Sequence, residues 1–245
     1  MGAYCRRKVS CWTGKILPTT LLLLLPAVLA AEPATQELKP SVAVYSLSGG
    51  GFPFTIRGER TLKQRGDGTW ELTIRAGNFL GEVRETSRFE WHDDCHAKTL
   101  SYGYLRRGLG MRREASVEVD HESGEATSQR HRRDPETFEA GPDTTDTLSQ
   151  GIALQCRVAR GDTEMELEVI DERRLRTMRY QVGEKEKVQT RMGRVPAIPV
   201  ERVRDDDSDR TTTMWFAPEM DHALVRMLQE ENGDRFELQI REYNP

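Results

Sequence analysis

From Val42 onward, apolar and polar residues alternate in short runs separated by turn residues, the pattern of strands that bury one face. Val42, Val44 and Tyr45 open the series, and Phe54, Ile56 and Leu62 follow. After Gly66-Asp67-Gly68, a hairpin turn signal, Trp70, Leu72 and Ile74 alternate strictly with Glu71, Thr73 and Arg75. Phe79 to Trp91, Thr99 to Leu105 and Met111 to Val119 continue the pattern, so the first half predicts an antiparallel meander. Strands resume with Met165, Leu167 and Val169 and recur over 175–182, 197–203, 211–216, 223–228 and 236–240. About twelve to fourteen strands are expected.

The period changes once. Leu148, Ile152 and Cys156 stand four apart with Ala159 close to the same face, which predicts one helix over about 144–160. Asp143, Thr144, Thr145 or Asp146 is placed to accept from its first amides, and Gly161 to end it in the left-handed conformation. So many hairpins in one flat sheet would leave reactive edges. The expected fold is therefore mainly β, an antiparallel meander curled into a barrel-like or two-sheet structure with one helix. One β-rich domain over 41–243 follows a linker, 31–40, rich in Pro, Ala and Glu.

The first thirty residues carry a different message. Arg6, Arg7, Lys8 and Lys15 precede an apolar run from Ile16 to Leu29, and Val28-Leu29-Ala30 offers small or tolerated residues for cleavage, so residues 1–30 read as a secretory signal peptide. The run is shorter than the roughly twenty residues of a spanning helix, which leaves an uncleaved anchor as the runner-up. Cys5 and Cys11 lack the context for lipid attachment and leave with the signal. The reading makes the protein an exported one, free of the membrane once cleaved. An integral outer-membrane barrel is the competing architecture, but Glu59, Lys63, Glu85, Arg88 and Arg112 fall within strands and no lipid-facing apolar band appears.

The 245 residues carry 36 Lys and Arg against 40 Asp and Glu. Cleavage removes four basic side chains and leaves 32 against 40, a formal charge of −8. That balance argues against a nucleic-acid partner, although Arg130-His131-Arg132-Arg133 is a local basic patch that reads most simply as a solvated turn. Cys95 and Cys156 remain, an even pair in a disulfide-permissive compartment. A bridge between them would pin the helix to the sheet and contribute about 4 kcal/mol in the loop-entropy model. Two buried thiols or a pair of metal ligands are the alternatives.

His92-Asp93-Asp94-Cys95-His96 is the densest group of ligand types, with His92 and His96 as candidate metal ligands. A tetrahedral site needs a second converging cluster, and His121, His131 and His222 are scattered, so no metal and no other cofactor is implied. No serine elbow, zinc-protease helix motif or phosphate-binding loop occurs. Gly49-Gly50-Gly51 leads into another strand and reads as a turn or bulge. Trp70, Trp91 and Trp215 lie in strand alternation and read as core before they read as a sugar platform.

In order along the chain, Tyr45 before Gly49 to Gly51, Phe89-Glu90-Trp91 before Tyr102-Gly103-Tyr104, Asp146-Thr147-Leu148-Ser149 opening the helix, and Trp215-Phe216-Ala217-Pro218 before Leu224-Val225-Arg226 resemble the domain of unknown function 3108 family. Leu224 stands where that pattern has proline. The resemblance implies an exported, periplasmic, barrel-like domain of Gram-negative bacteria with no established activity, and it carries over no catalytic residues. No catalytic residue is assigned from the sequence.

Two functions from different classes fit. One is a non-enzymatic binding or assembly module of the cell envelope, in which the helix, with Leu148 and Ile152, closes like a lid over a lipid or other apolar ligand, or the domain docks an envelope protein. The other is a hydrolase of an envelope polymer that uses paired carboxylates or the His92 and His96 cluster.

Overall fold

A computed structural model describes residues 37–49, 52–79, 81–108, 110–204 and 208–245. The signal-peptide reading of residues 1–30 and most of the linker lie outside them. Everything described belongs to the compact unit Pro33–Pro245.

The described residues form sixteen strands, more than the twelve to fourteen that the alternating runs predict. The first eight are β1 (Ser41–Gly49), β2 (Phe52–Gln64), β3 (Trp70–Asn78), β4 (Gly81–His92), β5 (His96–Gly108), β6 (Met111–Asp120), β7 (Glu125–Arg130) and β8 (Glu136–Glu139). They pair antiparallel in sequence order, as the meander predicts. After the two-residue β9 (Thr145–Asp146) comes α1 (Gln150–Arg160), followed by β10 (Glu164–Ile170), β11 (Leu175–Val182), β12 (Glu186–Thr190), β13 (Gly193–Val203), β14 (Thr211–Ala217), β15 (Ala223–Glu231) and β16 (Asp234–Asn244). Strand β1 joins the halves by pairing with β2 on one side and β16 on the other, with Tyr45 opposite both Gly58 and Ile240. The sheet therefore runs from β8 at one end to β9 at the other, with β12 attached to β13.

The sheet is curled but not closed by a ladder. Its two ends meet through polar contacts: the Thr99 amide of β5 donates to the Thr144 carbonyl at 2.9 Å, and the Ser128 hydroxyl of β7 donates to the Glu172 carbonyl at 2.7 Å. Arg113 of β6 pairs with the Glu172 carboxylate.

The helix lies between the halves of this curl, and its burial pattern shows it. Ile152 and Leu148 pack into a cluster with Leu62, Leu72, Phe89 and Val117. Leu154 and Val158, on another side of the helix, pack with Val169, Met178, Val200 and Phe216. A helix buried on more than one side is surrounded by core, not laid over it. A third cluster, including Tyr45, Val188, Trp215 and Ile240, fills the space where β12 folds toward β15 and β16.

Helix α1 begins six residues later than its periodicity predicts. Thr145 and Asp146 extend in parallel pairing with Val169 and Ile170, so the backbone turns helical only after Asp146. Gly161 ends the helix at φ 89°, with its amide bonded back into the last turn. Among the described residues no helix is long and apolar enough to cross a membrane.

Candidate functional site

The entry of α1 is held by one carboxylate. Asp146 is fully buried, and its Oδ1 accepts from the amides of Leu148 at 2.7 Å and Ser149 at 2.9 Å. Its Oδ2 accepts from the hydroxyls of Thr99 and Ser149, both at 2.8 Å, and of Ser87 at 2.5 Å. Five donors on one carboxylate satisfy a buried charge that would otherwise be costly. The arrangement fastens the helix to β4 and β5 and leaves Asp146 no free lone-pair direction toward a substrate. Leu148 and Ile152 sit in the same packed region, 8% and 1% exposed, as part of the core.

Beside this node, Glu85 of β4 faces the inside of the curl and accepts from the Tyr102 hydroxyl at 3.2 Å. Burial pushes its carboxyl up to about 7, with the nearby charges of Asp146 and Glu172 adding to the rise and the Tyr102 hydrogen bond opposing it. Burial likewise pushes the Tyr102 phenol upward. Glu85 can therefore hold or release a proton near neutral pH. A glycosidase pair would need a second carboxylate facing the same bond, but Asp146 is buried and saturated and the Glu172 carboxylate is engaged by Arg113.

Cys95 and Cys156 are joined, with an S–S distance of 2.02 Å and Cα atoms 5.4 Å apart. Cys95 occupies the left-handed corner, φ 68°, of the turn between β4 and β5, so the bridge ties that hairpin to the middle of α1. The turn sets His92 opposite His96 across the hairpin, ring centroids 6.3 Å apart and edge to face. His96 Nε2 is buried without a partner, and burial lowers its pKa. Among the described residues no three His, Cys, Asp or Glu side chains gather as a metal site, and Cys95 is taken by the bridge.

On the outer face, opposite the helix, a groove of about 530 Å³ crosses β4 to β7. Two rungs of the sheet build it. Thr86, Gly103, Ser116 and Gln129 stand opposite one another in register, and Arg84, Leu105 and Glu114 form the next rung toward His131. Gly103 makes the floor. Its φ lies outside the left-handed range, and a Cβ there would meet nothing within 4 Å, so the fold does not require glycine at this position. Glycine inside a strand weakens it and often marks close approach of another chain or ligand. Glu114 is occupied by Arg112 at 2.6 Å, which leaves Arg84 and Arg132 to set a positive rim.

The sequence singles out Cys95, Cys156, Leu148, Ile152, His92 and His96 as candidates, but neither Glu85 nor Gly103. The available signals were a carboxylate on the inward register of a strand and a mid-strand glycine without a turn.

Similarity to known proteins bears on the fold. A solved β-barrel-like protein of domain of unknown function DUF1849 from Brucella abortus matches with a TM-score of 0.57 at 12% identity, covering 84% of this chain and 97% of that one. A candidate lipoprotein from Parabacteroides distasonis matches with a TM-score of 0.32 at 9% identity, over 84% of this chain and 96% of its own. A candidate exported protein with a YmcC-like fold from Bacteroides fragilis has a TM-score of 0.29 at 10% identity, over 84% and 95%. No curated protein matches. The first of these neighbours shares the curled barrel-like sheet, and the model of the protein family of unknown function DUF3108 matches residues 56–239, so the chain belongs to that family.

Proposed function

We propose that residues 41–243 form a single non-enzymatic docking module of the bacterial cell envelope, exported to the periplasm, whose outer groove receives an extended acidic segment of a protein partner. The observation that carries this reading is Gly103, a glycine the backbone does not need, at the floor of a groove with a positive rim in a protein of net negative charge. Export is supported by the signal-like residues 1–30 and by the Cys95–Cys156 bridge, which persists in an oxidising compartment. A helix embedded in core on more than one side leaves Leu148 and Ile152 little scope as a lid over an apolar ligand.

Gly103→Val separates docking from folding. A photo-crosslinking residue in place of Ser116, in cells producing the protein, should yield a discrete adduct that Gly103→Val abolishes. The valine variant should melt at or above the parent temperature, because β-branched residues favour strands. An adduct that survives Gly103→Val, or that forms equally from exposed Thr177 on the other half of the sheet, would sink the proposal.

A further inference from the structure

Four arginines gather on the inward face of the second half, where β11 and β14 begin and β13 and β15 end. Arg202 stands opposite Tyr180 in the β11–β13 register, and Arg204, two residues on, projects to the same side. Arg176 lies on the face of β11 that carries Met178 and Tyr180. Arg210 reaches Gln229 of β15 at 2.6 Å, and Arg204 reaches Thr212 of β14 at 3.0 Å.

Among the described residues, the carboxylates do not match these cations one for one. Arg176 pairs with Asp171, and Arg210 lies 3.7 Å from Glu231. Arg202 and Arg204 have no carboxylate within ion-pair distance among the described residues; Asp205–Asp207 lie outside these. The Nε of all four arginines is buried without a hydrogen-bond acceptor. Burial and mutual repulsion lower the pKa of Arg202 and bring that of Arg204 down to about 10. An anion would offset the repulsion among these partly exposed arginines, and the planar fork of a guanidinium matches the oxygens of phosphate.

We propose that Arg176, Arg202, Arg204 and Arg210 form a binding site for a phosphate group, presented by a phospholipid headgroup or as free inorganic phosphate. The site lies on a different face and a different half of the sheet from the groove at Gly103, and it stands whether or not that groove docks a partner.

The test is a titration of the purified full chain with inorganic phosphate at constant ionic strength, read by thermal melting, alongside co-sedimentation with vesicles of phosphatidylglycerol or of a neutral glycolipid. Saturating phosphate should raise the parent melting temperature by about 5 °C. In Arg202→Gln/Arg204→Gln the affinity should fall by at least about tenfold, while the unliganded protein melts at the same temperature or higher because repulsion is relieved. Arg204→Gln alone gives the same reading with less disturbance, should the double variant not fold. Free phosphate as the source gives the melting shift. A headgroup as the source gives sedimentation with phosphatidylglycerol only, lost in the variants. Neither response, or a response unchanged in the variants, overturns the site, as does an Arg204→Gln variant less stable than the parent without phosphate, since that is the mark of a purely structural cluster.

Discussion

Replacing Asp146 tests the central structural statement, that one buried carboxylate fastens α1 to the sheet. Asp146→Ala removes the acceptor for two amides and three hydroxyls at once. A hydrogen bond to a charged group contributes about 1.5–3 kcal/mol, but the five share one carboxylate and do not add. The hydroxyls can turn toward each other, as the Thr145 and Ser149 oxygens 2.9 Å apart already allow, whereas the Leu148 and Ser149 amides have no second acceptor. The net loss expected is about 4 kcal/mol, a fall of roughly 8–16 °C for a domain of this size. Asp146→Asn keeps an oxygen for the amides and presents an NH₂ to hydroxyls that can act as acceptors, so it should lose about half as much. Urea denaturation followed by circular dichroism reads both. A loss under about 1 kcal/mol for Asp146→Ala would refute the reasoning, because ordinary surface substitutions lie within that range.

Three further outcomes are expected. Glu85 has its folded pKa raised to about 7 from an unfolded 4.5, so the folded state binds the extra proton between those values and stability falls as pH rises through that window. Glu85→Gln should flatten the profile between pH 5 and 8 and be the more stable protein at pH 8; parallel melting curves for the two proteins would refute this. Reducing the Cys95–Cys156 bridge should lower the melting temperature by about 10 °C, from the loop-entropy contribution of about 4 kcal/mol, and an unchanged melt after confirmed reduction counts against the bridge as a fastening of α1. Gly49→Ala, at φ 94° and with its Cβ placed 1.8 Å from the Arg235 carbonyl oxygen, should shift the β1–β16 pairing and cost about 3 kcal/mol in the urea midpoint, against nearly nothing for Gly103→Ala.

The meander and the single helix were legible because their apolar positions repeat with clean periods. Strand β7 was not, because its inward positions are Ala126 and Ser128, small or polar residues under the β10–β11 turn, where Ser128 bonds Glu172. Strand β12 was hidden for a related reason: Val188 is a single apolar residue among Glu186, Lys187 and Gln189, and its burial comes from folding over the distant β15 and β16. Asp146 could be read as a helix cap, but its bonds to Ser87 and Thr99 join residues 59 and 47 positions away, which no local pattern encodes. The arginine cluster is likewise invisible in order along the chain, since Arg202 comes near Arg176 and Arg210 only through strand pairing.

The same contacts decide whether α1 can move. Lifting it would break the Asp146 network, at about 4 kcal/mol, and expose Ile152, Leu154 and Val158, each worth roughly 1.5–3 kcal/mol of apolar burial. The total, about 10 kcal/mol, is comparable with the whole stability of a domain, typically about 5–15 kcal/mol. Opening the helix is thus equivalent to unfolding, and the bridge to Cys95 tethers its middle besides. Native-state hydrogen exchange should show the amides of Leu154, Cys156 and Val158 exchanging with the free energy and denaturant dependence of global unfolding. Exchange from these amides at several kcal/mol below the global value, with a small denaturant slope, would reveal a hinged helix and return the interior to consideration as a ligand chamber. The expected result leaves the two proposed sites, the groove at Gly103 and the arginines around β13, on parts of the fold that stay fixed, where binding would require no part of the core to open.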